Sequence, residues 1–151
     1  MSEDIKRIAV LGSTGSIGEQ TLDIVRAHPD RLAVVALAAG RNATRLLEQA
    51  NEFGVKHLAL ADEEAARRIE ARDTTVRAGT EGICELIEAS EPDLVIGAIS
   101  GIAGLRPLLT ALNNGIDCAL ANKEPLVSAG GIVTEAARQS GAKLLPIDSE
   151  I

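Results

Sequence analysis

The sequence predicts an α/β fold of the Rossmann-like, doubly wound kind, a mainly parallel sheet with helices on both faces. Three observations carry that expectation. Apolar runs of strand length alternate with stretches of helical periodicity along the whole chain, without a hairpin signal, which is the order of βαβ units. The run Arg7-Ile8-Ala9-Val10-Leu11 passes directly into Gly12-Ser13-Thr14-Gly15-Ser16-Ile17-Gly18, which opens a helical segment. Polar or glycine-bearing motifs follow the ends of the apolar runs: Gly12 to Gly18, Gly40-Arg41-Asn42, Ser100 to Gly104, Asn122-Lys123-Glu124 and Asp148-Ser149-Glu150. In open parallel sheets, ligands bind along the edge where strand ends and helix starts converge, so these motifs predict one composite site.

The first strand is Arg7 to Leu11, and the helix after it, Ser16 to His28, carries Ile17, Thr21, Leu22, Ile24 and Val25 at helical spacing. A buried strand turning through glycines into a helix aims free N–H groups and the positive end of a helix dipole at one point, where a pyrophosphate can sit. Gly12 permits the tight turn, Gly15 lets the backbone approach a phosphate, and Gly18 lets the helix lie close on its strand. The spacing is G-x-x-G-x-x-G rather than the commoner G-x-G-x-x-G. A Walker-type loop would need a Gly-Lys pair, and the chain contains none.

Pro29-Asp30 leads to Leu32–Ala39, an unbroken apolar run of the kind covered on both faces. Gly40-Arg41-Asn42 ends it, and a helix over Ala43–Phe53 follows, with Leu46, Leu47 and Ala50 inward and Gly54 as its stop. His57 to Ala61 reads as a third strand, Asp62 as the cap of a charge-rich helix running to about Ala71, Asp73 to Gly79 as a short strand, and Gly82 to Ala89 as a helix. Leu94 to Ile99 is the next strand, and the turn Ser100 to Gly104 leads into a helix through Leu108, Leu109 and Leu112, closed by Asn113-Asn114-Gly115. Ile116 to Ala121 is a strand, Asn122 to Pro125 a loop, Ile132 to Ser140 a helix, and Lys143 to Ile147 the last strand.

At 151 residues the chain suits one compact domain. With 46% hydrophobic and 25% charged residues it is close to the globular average, which suggests neither a disordered nor a membrane class. The longest uncharged stretch, Leu94 to Leu105, is broken by three glycines and is too short to span a bilayer. No basic and apolar leader precedes Ile8, so a cytoplasmic location is expected. The net charge is −7 and the basic residues are scattered, which argues against a nucleic-acid surface. Cys84 and Cys118 each sit within an apolar pattern, as buried reduced thiols do. His28 and His57 show no partner pattern and read as structural. There is no Tyr, which excludes the Tyr-x-x-x-Lys pair of the short-chain dehydrogenases.

An NAD site usually carries an acidic residue after the second strand. Here Gly40-Arg41-Asn42 takes that place, with no carboxylate until Glu48. A guanidinium pairs with a 2′-phosphate through two parallel hydrogen bonds, so the chemistry prefers NADP; the competing reading is a solvated arginine beside a helix cap. Asp148 and Glu150, two apart in an extended chain, point to one side as hard oxygen ligands for Mg²⁺ or Mn²⁺. The competing reading there is a solvent-exposed acidic terminus. Lys123 and Glu124, taken alone, also fit a surface ion pair.

Taken together, Gly12-Ser-Thr-Gly-Ser-Ile-Gly18, Ala39-Gly40-Arg41-Asn42, Leu120-Ala121-Asn122-Lys123-Glu124 and Pro146-Ile147-Asp148-Ser149-Glu150 resemble the amino-terminal domain of the 1-deoxy-D-xylulose 5-phosphate reductoisomerases across essentially the whole chain. The resemblance implies an enzyme that rearranges its sugar phosphate and reduces the product with NADPH to 2-C-methyl-D-erythritol 4-phosphate, in non-mevalonate isoprenoid biosynthesis. It implies a divalent cation, Mg²⁺ or Mn²⁺, and a homodimer. Position by position, it implies that Thr14, Gly15, Ser16 and Ile17 meet the NADPH phosphates and that Gly40, Arg41 and Asn42 meet the adenosine 2′-phosphate end. Asn122 and Glu124 would lie by the nicotinamide half and Lys123 would reach substrate; Asp148 and Glu150 would bind metal, with Ser149 and Glu150 touching substrate. Pro125 stands where the family usually has Ser or Ala, and Ile151 where it has His. The family continues into a catalytic domain and a helical domain, so residues 1–151 are expected to bind cofactor without catalysing. The alternatives are a stand-alone NADP(H)-binding regulatory module and an NADP-dependent reductase of the semialdehyde dehydrogenase type.

Overall fold

The computed structural model describes residues 4–69, 75–99, 102–121 and 124–147. Among the described residues, seven strands form one sheet: β1 (Lys6–Leu11), β2 (Leu32–Ala39), β3 (His57–Leu60), β4 (Thr75–Ala78), β5 (Leu94–Gly97), β6 (Asp117–Leu120) and β7 (Leu144–Pro146). Their order is β4-β3-β2-β1-β5-β6-β7, and each neighbouring pair is parallel. The described helices between them are α1 (Ser16–Ala27), α2 (Ala43–Phe53), α3 (Glu63–Arg67), α4 (Gly79–Ser90), α5 (Leu105–Asn113) after a short 3₁₀ turn, and α6 (Glu124–Ser140). The strand order reverses at β1, which pairs with β2 on one side and β5 on the other. The doubly wound expectation is met, with every described strand pair parallel.

Alternation along the strands divides the core in two, because successive side chains in a strand face opposite ways. Ile8, Val10, Leu37, Ala39, Leu58 and Leu60 pack with Leu22 and Val25 of α1 and Leu46 and Ala50 of α2. Ala9, Leu11, Ala36, Ala38 and Ala59 pack on the other face with Ile83, Leu86 and Ile87 of α4, Leu108 and Leu112 of α5 and Val133 of α6. Strands covered on both faces must be apolar throughout, which is why Leu32–Ala39 carries no polar residue.

Several boundaries differ from the sequence expectation. The helix after Asp62 ends at Arg67 instead of near Ala71, since only Ala65, Ala66 and the following Ile69 offer it apolar contact. Helix α4 begins at Gly79 rather than Gly82. Helix α6 begins at Glu124, so Glu124 and Pro125 belong to a helix and not to a loop. Proline is tolerated there because a first-turn N–H has no intrahelical partner to lose. Ala129 (φ −144°, ψ 39°) kinks α6 beside Gly130-Gly131, which hid the helix upstream of Ile132 from its periodicity. No described helix is long and apolar enough to cross a membrane.

Candidate functional site

Because the sheet is parallel, the carboxyl ends of its strands share one edge. The peptides that leave the strands there extend the ladder by one bond each: Ala61 N–H donates to the Ala39 carbonyl, Ala98 N–H to Leu11, Ala121 N–H to Gly97 and Ile147 N–H to Leu120, all at 2.9 Å. The turn after β1 and the chain after β7 therefore emerge on the same side, as a composite site requires. Asn122, Lys123, Asp148, Ser149 and Glu150 lie outside the described residues, as do Ser100 and Gly101; β6 and β7, which precede the first five, end side by side at this edge.

The glycine turn is built around close backbone contacts. Gly12 has φ +90°, and a Cβ on it would lie 2.5 Å from the Ala98 carbonyl oxygen, so only glycine fits. At Gly18 a Cβ would lie 2.2 Å from the Gly12 oxygen and 2.6 Å from Ser13 Cα, which seats the first turn of α1 directly on the turn. Gly15 differs from both. Its φ of −85° and ψ of 179° suit any residue, and a Cβ there would meet only the Gly12 oxygen, at an ordinary 3.6 Å. The chain's own packing does not demand a glycine at 15; its missing side chain leaves open the approach to the start of α1.

That helix start is free to receive an anion. Gly15 is the N-cap and no side chain caps α1, so the N–H groups of Ser16, Ile17 and Gly18, in the turn where intrahelical acceptors are missing, face the opening. Thr14 is half-buried, while Gly15 and Ser16 are exposed. The one carboxylate in this first turn, Glu19, is neutralised: Arg45 of α2 donates from Nε at 2.7 Å and Nη2 at 2.9 Å to its two oxygens. Those bonds, with smaller contributions from Gln49 and Arg26, hold Glu19 below the usual carboxylate range. Sequence reasoning missed this pair, whose members lie 26 residues apart.

After β2, Gly40, Arg41 and Asn42 are all exposed. Asn42 caps α2, its Oδ1 accepting from Arg45 N–H at 3.1 Å, which leaves its NH₂ available. Arg41 has no ion-pair partner among the described residues, whereas Arg26, Arg45, Arg68 and Arg138 each hold a carboxylate. Glu48, the nearest acid in sequence, accepts from Arg45 Nη1 at 3.1 Å. Arg41, Asn42, Thr44, Leu47, Arg68 and Ile69 line a groove of about 400 Å³ at this end of the rim. An apolar recess under the middle of the rim is lined by Leu11, Val95, Gly97, Ile99, Leu108 and Leu120. Glu124 stands exposed in the first turn of α6.

The remaining titratable groups sit elsewhere. Cys84 and Cys118 are free and buried, and burial, with Asp117 beside it, pushes the Cys118 thiol up to about 12. His28 is the C-cap of α1. His57 opens β3, at the opposite edge of the sheet, and is lowered by burial and by Arg77 and Arg7. Among the described residues no group of three or more His, Cys, Asp or Glu is placed to hold a metal.

An all-parallel doubly wound sheet with an uncapped helix start at its switch point and, after β2, an arginine without an ion-pair partner among the described residues defines a dinucleotide-binding α/β domain. The comparisons are narrower. The family model for 1-deoxy-D-xylulose 5-phosphate reductoisomerase matches residues 8–130. The reductoisomerase of Desulfitobacterium hafniense is 48% identical over 150 residues, covering 97% of this chain and 39% of that protein. Among solved structures, the Zymomonas mobilis reductoisomerase in complex with NADPH superposes with a TM-score of 0.90 at 38% identity, over 97% of this chain and 40% of the other. A reductoisomerase bound to NADPH, fosmidomycin and magnesium gives 0.89 at 38% identity, over 97% of this chain and 37% of that one. The chain belongs to the 1-deoxy-D-xylulose 5-phosphate reductoisomerase family and spans about 39% of the length of the curated relatives it matches.

Proposed function

We propose that this chain is the NADPH-binding domain of a reductoisomerase that converts 1-deoxy-D-xylulose 5-phosphate to 2-C-methyl-D-erythritol 4-phosphate. The observation that carries the reading is the uncapped start of α1 behind Gly15, where unused N–H donors face a space that no packing constraint of the chain explains. The pyrophosphate lies against Thr14, Gly15, Ser16 and Ile17. Across the rim, the adenosine 2′-phosphate meets Arg41 and Asn42 beside Gly40, and the adenosine lies along the Leu47 and Arg68 groove. The bound nucleotide supplies the reducing equivalent. Its nicotinamide half runs over the apolar recess toward Asn122 and Glu124.

Asp148 and Glu150 serve as the carboxylate ligands of a divalent cation, Mg²⁺ or Mn²⁺, while Lys123, Ser149 and Glu150 contact the sugar phosphate. The ligand set is completed by residues outside this chain, in the part of the parent protein that supplies the catalytic and helical domains. The parent is a cytoplasmic homodimer, and residues 1–151 alone bind nucleotide without turnover. Reductoisomerase activity from this chain by itself would overturn that last statement.

The test of the cofactor reading is the ratio of NADPH to NADH affinity, followed by nucleotide fluorescence. Wild type should favour NADPH by about 10- to 100-fold, the range of a hydrogen-bonded charge pair, and Arg41→Glu should abolish the preference. Equal affinities in the wild type would remove the 2′-phosphate assignment.

A further inference from the structure

Gln49 is a polar side chain that the site so far uses only for its minor contribution at Glu19. It lies on α2, on the face that carries Leu46 and Ala50, and is fully buried at 0% exposure. Its Nε2 donates to the Ser13 carbonyl at 2.9 Å, across 36 residues of sequence. Its Oε1 has no partner among the described residues. A buried amide with one orphaned atom is a poor device for stability, since an apolar side chain would fill the place without leaving a polar atom unsatisfied. The bond to Ser13, and beside it the weaker contribution at Glu19, are what an apolar residue cannot make.

The consequence of that bond follows from peptide geometry. The Ser13 carbonyl and the Thr14 N–H belong to one planar trans peptide unit, so they point in opposite directions. With the carbonyl held inward by Gln49, the Thr14 N–H is turned away from α2 and out of the core. The other donors of the turn are occupied: Gly12 and Ser13 N–H both donate to the Ala38 carbonyl, at 2.7 and 2.9 Å, and Gly15 N–H donates to Gly12 at 3.2 Å. Thr14 N–H has no protein acceptor among the described residues. It is the donor of the turn left for a ligand, and its direction is set from the far side of its own peptide plane.

We propose that Gln49 is a positioning residue of the nucleotide site, holding the Ser13–Thr14 peptide so that the Thr14 N–H is presented to the pyrophosphate. The proposal rests on the nucleotide-binding reading above. Gln49 touches no nucleotide itself and acts through the Ser13 carbonyl. It fixes a phosphate contact common to NADPH and NADH, so it contributes to affinity for both and to discrimination between them not at all.

The experiment is a titration of wild type, Gln49→Leu and Arg41→Gln with NADPH and NADH, with ³¹P spectra of the bound NADPH. Gln49→Leu should weaken both nucleotides by about tenfold and leave their ratio at the wild-type value, whereas Arg41→Gln should weaken NADPH alone. In Gln49→Leu the bound pyrophosphate resonances should move toward their free positions while the 2′-phosphate resonance stays, a signature that a merely structural role would not produce. If Gln49→Leu does not fold, Gln49→Met, which keeps the length of the side chain, replaces it. The wild-type Gln49 side-chain amide should also shift in ¹⁵N spectra on saturation with NADPH. Wild-type affinity and unmoved pyrophosphate resonances in the folded variant, or an amide indifferent to saturating nucleotide, would overturn the proposal and leave the nucleotide-binding reading standing. A wild-type chain that binds neither nucleotide overturns both.

Discussion

Gly15 and Gly18 stand three residues apart in one motif, yet their surroundings differ, and a pair of alanine substitutions separates their proposed roles. At Gly18 the added methyl would sit 2.2 Å from the Gly12 oxygen and within 2.7 Å of two Ser13 backbone carbons. None of these atoms can rotate aside. Ordinary contact begins near ~3.5 Å, so α1 must retreat by about 1 Å or the turn must open. Overpacking of this kind costs about 1–3 kcal/mol, and contact with backbone places the expected value at the upper end, ~3 kcal/mol. For a domain of this size each kcal/mol lowers Tm by about 2–4 °C, so Gly18→Ala should melt roughly 6–12 °C below wild type. At Gly15 the nearest atom is 3.6 Å away and the backbone suits alanine. The expected stability cost is only the poorer N-cap, ~0.5–1 kcal/mol. The same methyl, however, occupies the approach to the helix N–H groups, and NADPH affinity should fall at least about tenfold, or ~1.4 kcal/mol. Differential scanning calorimetry and nucleotide titration on both variants read the two axes. If Gly15→Ala melts as early as Gly18→Ala, or binds NADPH as tightly as wild type, the assignment of Gly15 to the ligand is refuted.

Arg45→Met removes the bidentate hold on Glu19, whose side chain is one-third exposed. The stability loss should be small and smaller still in high salt, but the carboxylate left uncompensated beside the anion site should weaken NADPH binding more than it weakens the fold; unchanged affinity would count against a neutralising role. Glu19 is held below its ordinary value of 4.5 by Arg45. Its contribution to stability is therefore fully present above about pH 5 and lost as pH falls through the lowered folded value. Urea unfolding at pH 7 and pH 4 should show a smaller difference for Arg45→Met than for wild type. Cys118 is fully buried, with its thiol pushed up to about 12, so it should resist a maleimide at pH 8 in the native chain and react once unfolded in urea; rapid native labelling of Cys118 would contradict its burial.

Much of the fold was legible because its boundaries are written locally. Leu32–Ala39 and Ala43–Phe53 fall where the sequence put them, since Gly40 and the Asn42 cap separate an apolar run from an amphipathic one and Gly54 ends the second. The short charged helix after Asp62 was overextended because its cap was readable, with Asp62 Oδ1 accepting from Glu64 and Ala65 N–H, but its end depends on how little it has to pack against. The start of α6 was hidden by Pro125 and Gly130-Gly131, which argue against a helix interior but are acceptable at a first turn and a kink.

The site divides along the same line. Thr14 to Ile17 and Arg41-Asn42 could be proposed from the sequence because each motif carries its chemistry in adjacent residues. Gln49 was not, although a polar residue at the core-facing position of Leu46-x-x-Gln49-Ala50 was a readable anomaly. Its meaning depends on Ser13, 36 residues earlier, and on the parallel pairing of β1 with β2 that brings α2 beside the glycine turn. Arg45 follows the same rule, answering Glu19 across 26 residues. Residues that touch a ligand can cluster in sequence because the ligand is met by a few short loops. Residues that aim or neutralise those loops are supplied by whichever helix packs behind them, and only the fold says which helix that is.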